Sequence, residues 1–270
     1  MHRSGTSLVT QWLYRSGLFV GERLFPPGPA NPDGHFEDMD FLELHKKFLS
    51  KRKFPTSGFI SDNIVLSTEE KKEIETLIDK KKSEHSEWGW KEPRTCLFLD
   101  VYRDILQEAY SFIIVRDYNS TVNSMLSRDH KFLIEKINRK KGLSWVKWTL
   151  FKSMTEEEFY KKYAEEYLKV WINYYEKILN HIHLIPKERL IVTDIKRLLQ
   201  YDEYIFTRVT QQWDFSLRYL PIAGIYKESL ISKVKNVDQY IKNFSLLTKA
   251  RKIEKIISHF SDLHVTYIQF

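Results

Sequence analysis

Little in this chain would staple or anchor it. Cys96 is the one cysteine among 270 residues, so no intrachain disulfide can form, and a reducing, cytoplasmic setting is expected. No basic segment followed by an apolar run opens the sequence, and the apolar residues between Leu8 and Val20 are interrupted by Thr10, Gln11, Arg15 and Ser16. Charge breaks every other hydrophobic stretch, which excludes an integral membrane segment as the expected architecture. No repeat, low-complexity tract or linker marks a second domain. Also missing is the GxxxxGK[ST] loop of magnesium–nucleotide enzymes, because Thr6 stands where that loop needs lysine.

What is present describes a globular chain. Hydrophobic residues make up 42% and aromatics 14%, far too apolar for disorder, and the length suits one α/β domain with a substantial core. Lysine and arginine number 43 against 36 acidic residues, a net charge of +7 that steers anionic partners toward the surface. A nucleotide, an acidic glycan, nucleic acid and lipid head groups all meet that description. Much of the charge sits in mixed runs such as Glu69 to Lys82, which also read as solvated helix faces.

Periodicity predicts a helix over Thr6–Ser16, with Leu8, Val9, Trp12 and Leu13 on one side and Gly17 as its stop. Four prolines and two glycines make Phe25–Gly34 a loop, and Asp38–Leu49 is helical by pattern. Ser67 with Glu70, and Thr155 with Glu158, have the spacing of capping boxes; they predict helices to about Lys82 and Ile182. Strands are expected at Trp88–Lys91, Ser111–Val115 and Leu190–Thr193, with a helix over Thr95–Glu108 and another from Ser120 to Arg128. Strand, helix and strand in that order imply βαβ units around a parallel sheet, followed by a helix-rich part from about residue 129.

Two stretches carry chemistry. His2-Arg3-Ser4-Gly5-Thr6-Ser7 places a cation, a glycine and two hydroxyls at a helix start, where free N–H groups and the helix dipole favour an anion. The same hexapeptide also serves as an exposed Ser/Thr N-cap. Phe112-Ile-Ile-Val-Arg116-Asp117 delivers Arg116 at the carboxyl end of a strand, the usual ligand side of an open parallel sheet, and Ser124 follows on the next helix. An arginine fork and a hydroxyl so placed can hold a phosphate; an Arg116–Asp117 surface pair is the plainer reading.

Taken together, the hexapeptide resembles the 5'-phosphosulfate loop of the sulfotransferases that use PAPS (3'-phosphoadenosine 5'-phosphosulfate), and Val115-Arg116-Asp117 with Ser124 resembles their 3'-phosphate site. Asn31-Pro32-Asp33-Gly34-His35-Phe36-Glu37 and Trp88-Gly-Trp-Lys91-Glu-Pro93-Arg94 are similar to two further blocks of the bacterial and Golgi-type branch. All four occur in family order over residues 2–128. Beyond residue 128 only a long helix and the strand after Glu188-Arg189 match.

The resemblance implies a P-loop-like three-layer α/β fold with a central parallel sheet flanked by helices. It further implies PAPS as donor, PAP as product, no metal, and a hydroxyl or amine acceptor, with a carbohydrate among the candidates. Arg3, Ser4, Gly5, Thr6 and Ser7 would cradle the 5'-phosphosulfate, Arg3 also offsetting charge on the leaving phosphate, while Arg116 and Ser124 would take the 3'-phosphate. Glu37 is the expected base and His35 the second candidate, since imidazole titrates near neutrality and since Glu37 also suits a first helical turn. Lys91 and Arg94 would support the transferring sulfuryl oxygens or an acidic acceptor, unless Arg94 simply ties down the loop after Pro93. The strand that precedes the first block in the family has no counterpart here. Its pairing is expected from an upstream segment, as in a truncated Golgi-type domain, or from His264–Phe270.

Two other classes share some of these features. A kinase or P-loop NTPase would use the same sheet with Asp117 as the metal-holding acid. A non-catalytic basic module for acidic glycans or nucleic acid would use Lys131–Lys147, but it does not account for four ordered blocks, and no nucleic-acid partner is expected. Aromatics between residues 145 and 175 would line a sugar site or form core.

Overall fold

The structure, a computed structural model, describes residues 1–28, 32–138, 155–227 and 234–266, with side chains to residue 261 in the last of these. It is a mixed α/β protein dominated by helices. Helix α1 (Thr6–Arg15) is followed by α2 (Met39–Lys51), α3 (Thr68–Glu84), a 3₁₀ turn over Pro93–Phe98, and α4 (Leu99–Ile105). Strand β1 (Ser111–Val115), α5 (Tyr118–Asn138), α6 (Glu156–Leu184) and β2 (Leu190–Asp194) come next. Short helices α7 (Ile195–Gln200) and α8 (Asp202–Thr207) lead to the last helix, α9 (Phe244–Thr266).

Among the described residues, β1 and β2 form a two-stranded parallel sheet, in register from Ser111 with Leu190 to Val115 with Asp194. Side chains alternate across it as a pleated strand requires. Phe112, Ile114 and Ile191 join an apolar cluster with Val9, Trp12 and Leu13 of α1 and with Leu198, Phe206 and Trp213. Ile113, Val115, Leu190 and Val192 join the larger cluster built on α2, α3, α5, α6 and α9. Each strand therefore seals a core on both faces, which explains its unbroken apolar character.

The expected strand at Trp88–Lys91 is reduced to one parallel bridge, Trp88 with Phe19. Gly17 and Gly21 flank that partner with left-handed φ of 112° and 133°, so the neighbouring chain is straight too briefly to continue the ladder. The helix expected over Thr95–Glu108 is a 3₁₀ turn and then α4, ending at Ile105. Within the suggested pairing segment His264–Phe270, the described part to Thr266 is helical, and residues 267–270 lie outside the described set. Residues 139–154, which hold most of the basic run Lys131–Lys147 and the start of the aromatic stretch, lie outside it as well. No helix among the described residues is long and apolar enough to cross a membrane.

Both capping boxes form: Ser67 and Glu70 close the start of α3, Thr155 and Glu158 that of α6. The connection from α1 to α2 is tied at its far end. Phe25 N–H donates to the Glu37 carbonyl (2.8 Å), Met39 N–H to Arg23 (2.9 Å), and Asp38 N–H to Lys91 (3.2 Å). Behind it Lys81, fully buried on α3, reaches Asp40 at 2.9 Å and Asp38 at 3.3 Å. These bonds set Glu37 beside Lys91.

Candidate functional site

The carboxyl ends of both strands and the start of α1 open on a cleft of about 920 Å³. Arg3, Ser4, Gly5, Thr6, Ser7, His35, Glu37, Lys91 and Arg116 all line it. Ser124 lies behind the wall, buried, and accepts a hydrogen bond from Arg3 Nε at 2.9 Å. The residues singled out in the sequence are thus brought to one place.

The loop ahead of α1 is bent by backbone strain. Arg3 has a left-handed φ of 61°, a conformation that costs a non-glycine residue on the order of 1 kcal/mol or more. Gly5 has φ 96°, and a Cβ there would come within 2.6 Å of Ile195. No side chain caps α1, so its first N–H groups remain open to a ligand in the cleft. Ser4 differs from expectation in orientation: buried, its hydroxyl donates to the Met1 carbonyl at 2.9 Å and shapes the loop from within.

Arg116 joins the two halves of the expected phosphate site. Its Nη1 donates to the Arg3 carbonyl at 2.9 Å. Tyr175 of α6 holds the backbone at this point, accepting from Arg116 N–H and donating to Arg116 C=O, each at 2.8 Å. Burial lowers the pKa of Arg116. Burial also brings Arg3 down to about 10, and the guanidinium groups of Arg128 and Arg116 add to the shift. Three arginines therefore line the cleft, and among the described residues neither Arg3 nor Arg116 has a carboxylate within ion-pair distance, so positive charge faces the cleft.

Opposite them, Lys91 Nζ donates to Glu37 Oε1 at 3.0 Å and to Ser7 Oγ at 3.3 Å, while Ser7 Oγ donates to the His35 carbonyl at 3.1 Å. Lys91 is lowered by burial, in spite of Glu37. The His35 ring packs edge-on against Phe25, 5.0 Å between centroids, and burial lowers its pKa too. Its backbone carbonyl accepts from Ser7, which links it in turn to Lys91.

Comparison of the chain with models of protein families, with curated proteins and with solved structures gave no match. The reading of the cleft therefore rests on its geometry and on the motifs.

Arg94 stands apart from this chemistry. It is buried, ion-paired with Glu92, and donates from Nε to the Thr56 carbonyl at 2.7 Å, so it ties down the loop after Pro93. Glu92 also meets His45 Nδ1 at 2.5 Å, and His45 Nε2 meets Tyr102 Oη at 2.7 Å, all within the core. Asp117 accepts from Ser120 N–H at 2.7 Å at the start of α5. The one group of potential metal ligands among the described residues, Glu22, Glu84 and His85, is not part of the cleft wall.

Sequence reasoning overlooked several cleft residues. Arg128 entered it only as the end of a helix, although it stands four residues beyond Ser124 and hence on the same helix face. His2, which opens the first motif but was given no role, is held well below its ordinary pKa by burial and by Arg94 and lines the cleft as well. Glu254 of α9 does too; burial raises its carboxyl to about 7, helped by Asp117 and Asp238. Only the folded chain joins α9 to the cleft, and no local pattern announces it.

Proposed function

We propose that this chain is a PAPS-dependent sulfotransferase of the P-loop-like, three-layer kind. The observation that carries the reading is the junction of two motifs 113 residues apart: Arg116 Nη1 bonded to the Arg3 carbonyl, with Arg3 Nε bonded to Ser124. A donor bearing both a 5'-phosphosulfate and a 3'-phosphate needs two adjoining anion subsites, and the closeness of Arg3 and Arg116 supports that reading. Gly5, Thr6, Ser7 and Arg3 would take the 5' group and Arg116 the 3'-phosphate, with Ser124 holding Arg3 from behind the wall.

In the reaction the acceptor oxygen or nitrogen forms a bond to sulfur as the bond from sulfur to the 5'-phosphate oxygen breaks. PAP leaves with the released electron pair, and the acceptor proton passes to Glu37. Lys91 engages Glu37 Oε1 and leaves Oε2 facing no described partner, so the carboxylate keeps one oxygen for the acceptor. With Arg3 it also brings positive charge to the transferring sulfuryl and the leaving phosphate. Catalysis of this type rests on alignment and charge stabilisation, as in phosphoryl transfer. A carbohydrate is among the acceptors this reading allows.

Calorimetric titration with PAP, AMP and ATP without added metal tests the reading. PAP should bind in the micromolar range or tighter, and AMP, which lacks the 3'-phosphate, far more weakly. Equal affinity for PAP and AMP, or preference for ATP, overturns it.

A further inference from the structure

Arg128 is the third arginine of the cleft. Its Nε donates to Asp129 Oδ1 at 2.7 Å. Asp129 is fixed in turn by Tyr167 of α6, whose hydroxyl donates to Oδ2 at 2.5 Å. The Arg128 guanidinium lies over the Phe59 ring, 5.1 Å from its centroid, and Tyr167 meets that ring edge-on at 5.5 Å. A planar cation held on one side by a carboxylate and on its face by an aromatic ring keeps its outer nitrogens for another partner. Among the described residues those nitrogens donate to no acceptor, and Arg128 lines the cleft.

Its position shows what it would meet. Ser124, Arg128 and Phe132 recur every four residues along one face of α5. Ser124 is bonded to Arg3 at the inner end, and Phe132, nearly half exposed, marks the outer end at the cleft edge. Arg128 is therefore one turn, roughly 6 Å along the axis, outward from the donor site. Arg128 shares the lining of the cleft with His35, Glu37 and Lys91, and its charge helps depress the pKa of His35 as well as those of His2 and Arg3.

We propose that Arg128, set by Asp129, Tyr167 and Phe59, is a specificity-determining anion site that binds a carboxylate or sulfate group carried by the acceptor. This rests on the sulfotransferase reading, with the acceptor class narrowed to acidic molecules. Such a site would hold an acidic acceptor by its charge while a neighbouring hydroxyl or amine faces Glu37.

The test separates this role from a grip on the donor. Adenosine 3'-phosphate 5'-diphosphate places a phosphate where the transferring sulfuryl would lie, so protein saturated with it has that position filled. Inorganic sulfate is then titrated into this complex by calorimetry, for wild type, Arg128→Ala and Arg128→Lys. One sulfate should bind wild type, at least tenfold more weakly to Arg128→Ala and between the two for Arg128→Lys, while both PAP and the diphosphate bind Arg128→Ala within about twofold of wild type. Absence of sulfate binding, or equal binding by the alanine variant, overturns the proposal. So does a tenfold loss of diphosphate affinity with PAP affinity kept, which makes Arg128 a sulfuryl ligand. If neither nucleotide binds wild type, the sulfotransferase reading fails, and sulfate titration of the nucleotide-free protein, compared with Arg128→Ala and Arg3→Ala, still decides whether Arg128 binds an anion.

Discussion

Arg3 Nε lies 2.9 Å from Ser124 Oγ, a hydrogen bond between the loop ahead of α1 and the second turn of α5. The loop holds Arg3 in a left-handed conformation, so this bond is made at the expense of local backbone comfort. It brings the first motif of the sequence against the fourth.

Replacing Arg116 by alanine should weaken PAP binding by about 1.5–3 kcal/mol, the scale of a hydrogen bond to a charged group. AMP binding should change little, because the lost contact is to the 3'-phosphate. Arg3→Ala should weaken both nucleotides. Calorimetric affinities for PAP and AMP across the two variants check this, and equal losses for both ligands in Arg116→Ala would remove it from the 3' site.

Glu37→Gln keeps the shape of the side chain and removes the proton acceptor. With labelled PAPS and an acceptor found by screening sugars, glycans and phenols, turnover should fall roughly 10²–10⁴-fold, while PAP affinity stays near that of wild type. Near-full turnover in Glu37→Gln with loss in His35→Ala would move the base to His35. Retention in both would place the proton elsewhere.

Lys81→Met should cost about 3–5 kcal/mol in urea unfolding, since it leaves Asp38 and Asp40 facing a buried apolar group. An unchanged midpoint would show that water reaches these carboxylates in solution.

Glu254 gives a pH-dependent signature. Its carboxyl titrates at about 7 in the folded protein, above the ordinary carboxyl value of 4.5, so folding favours the protonated form between those limits. Its contribution is fully present below pH 4.5 and is lost as pH rises through 7. Glu254→Gln should therefore raise the thermal midpoint relative to wild type at pH 8 and leave it nearly unchanged at pH 4. A difference of equal size at both pH values would assign the effect to packing.

Where the controlling contacts are local, the sequence was readable. Ser67 with Glu70 and Thr155 with Glu158 announced α3 and α6, because a capping box needs only four neighbouring residues. The two apolar runs that became β1 and β2 were equally plain, each being buried on both faces. Trp88–Lys91 misled because a strand is completed by its partner, and the chain around Phe19 offers a single pair. Arg3, Arg116, Glu37 and Lys91 were named in advance because each sits in a compact motif. The bond from Tyr167 to Asp129, which holds Arg128, spans 38 residues and two helices, and the pairing of Glu92 with His45 spans 47, so neither leaves a mark in any window of sequence.

One ammonium group serves both halves of the cleft: Lys91 donates to Ser7 at the start of α1 and to Glu37 ahead of α2. Whatever draws Lys91 or Ser7 toward a nucleotide alters the hold on Glu37, so filling one half changes the free energy of filling the other. Thermodynamic linkage makes the exchange mutual. The factor by which donor shifts acceptor affinity equals the factor by which acceptor shifts donor affinity, and a charge-removing change at Lys91 should bring that factor toward one.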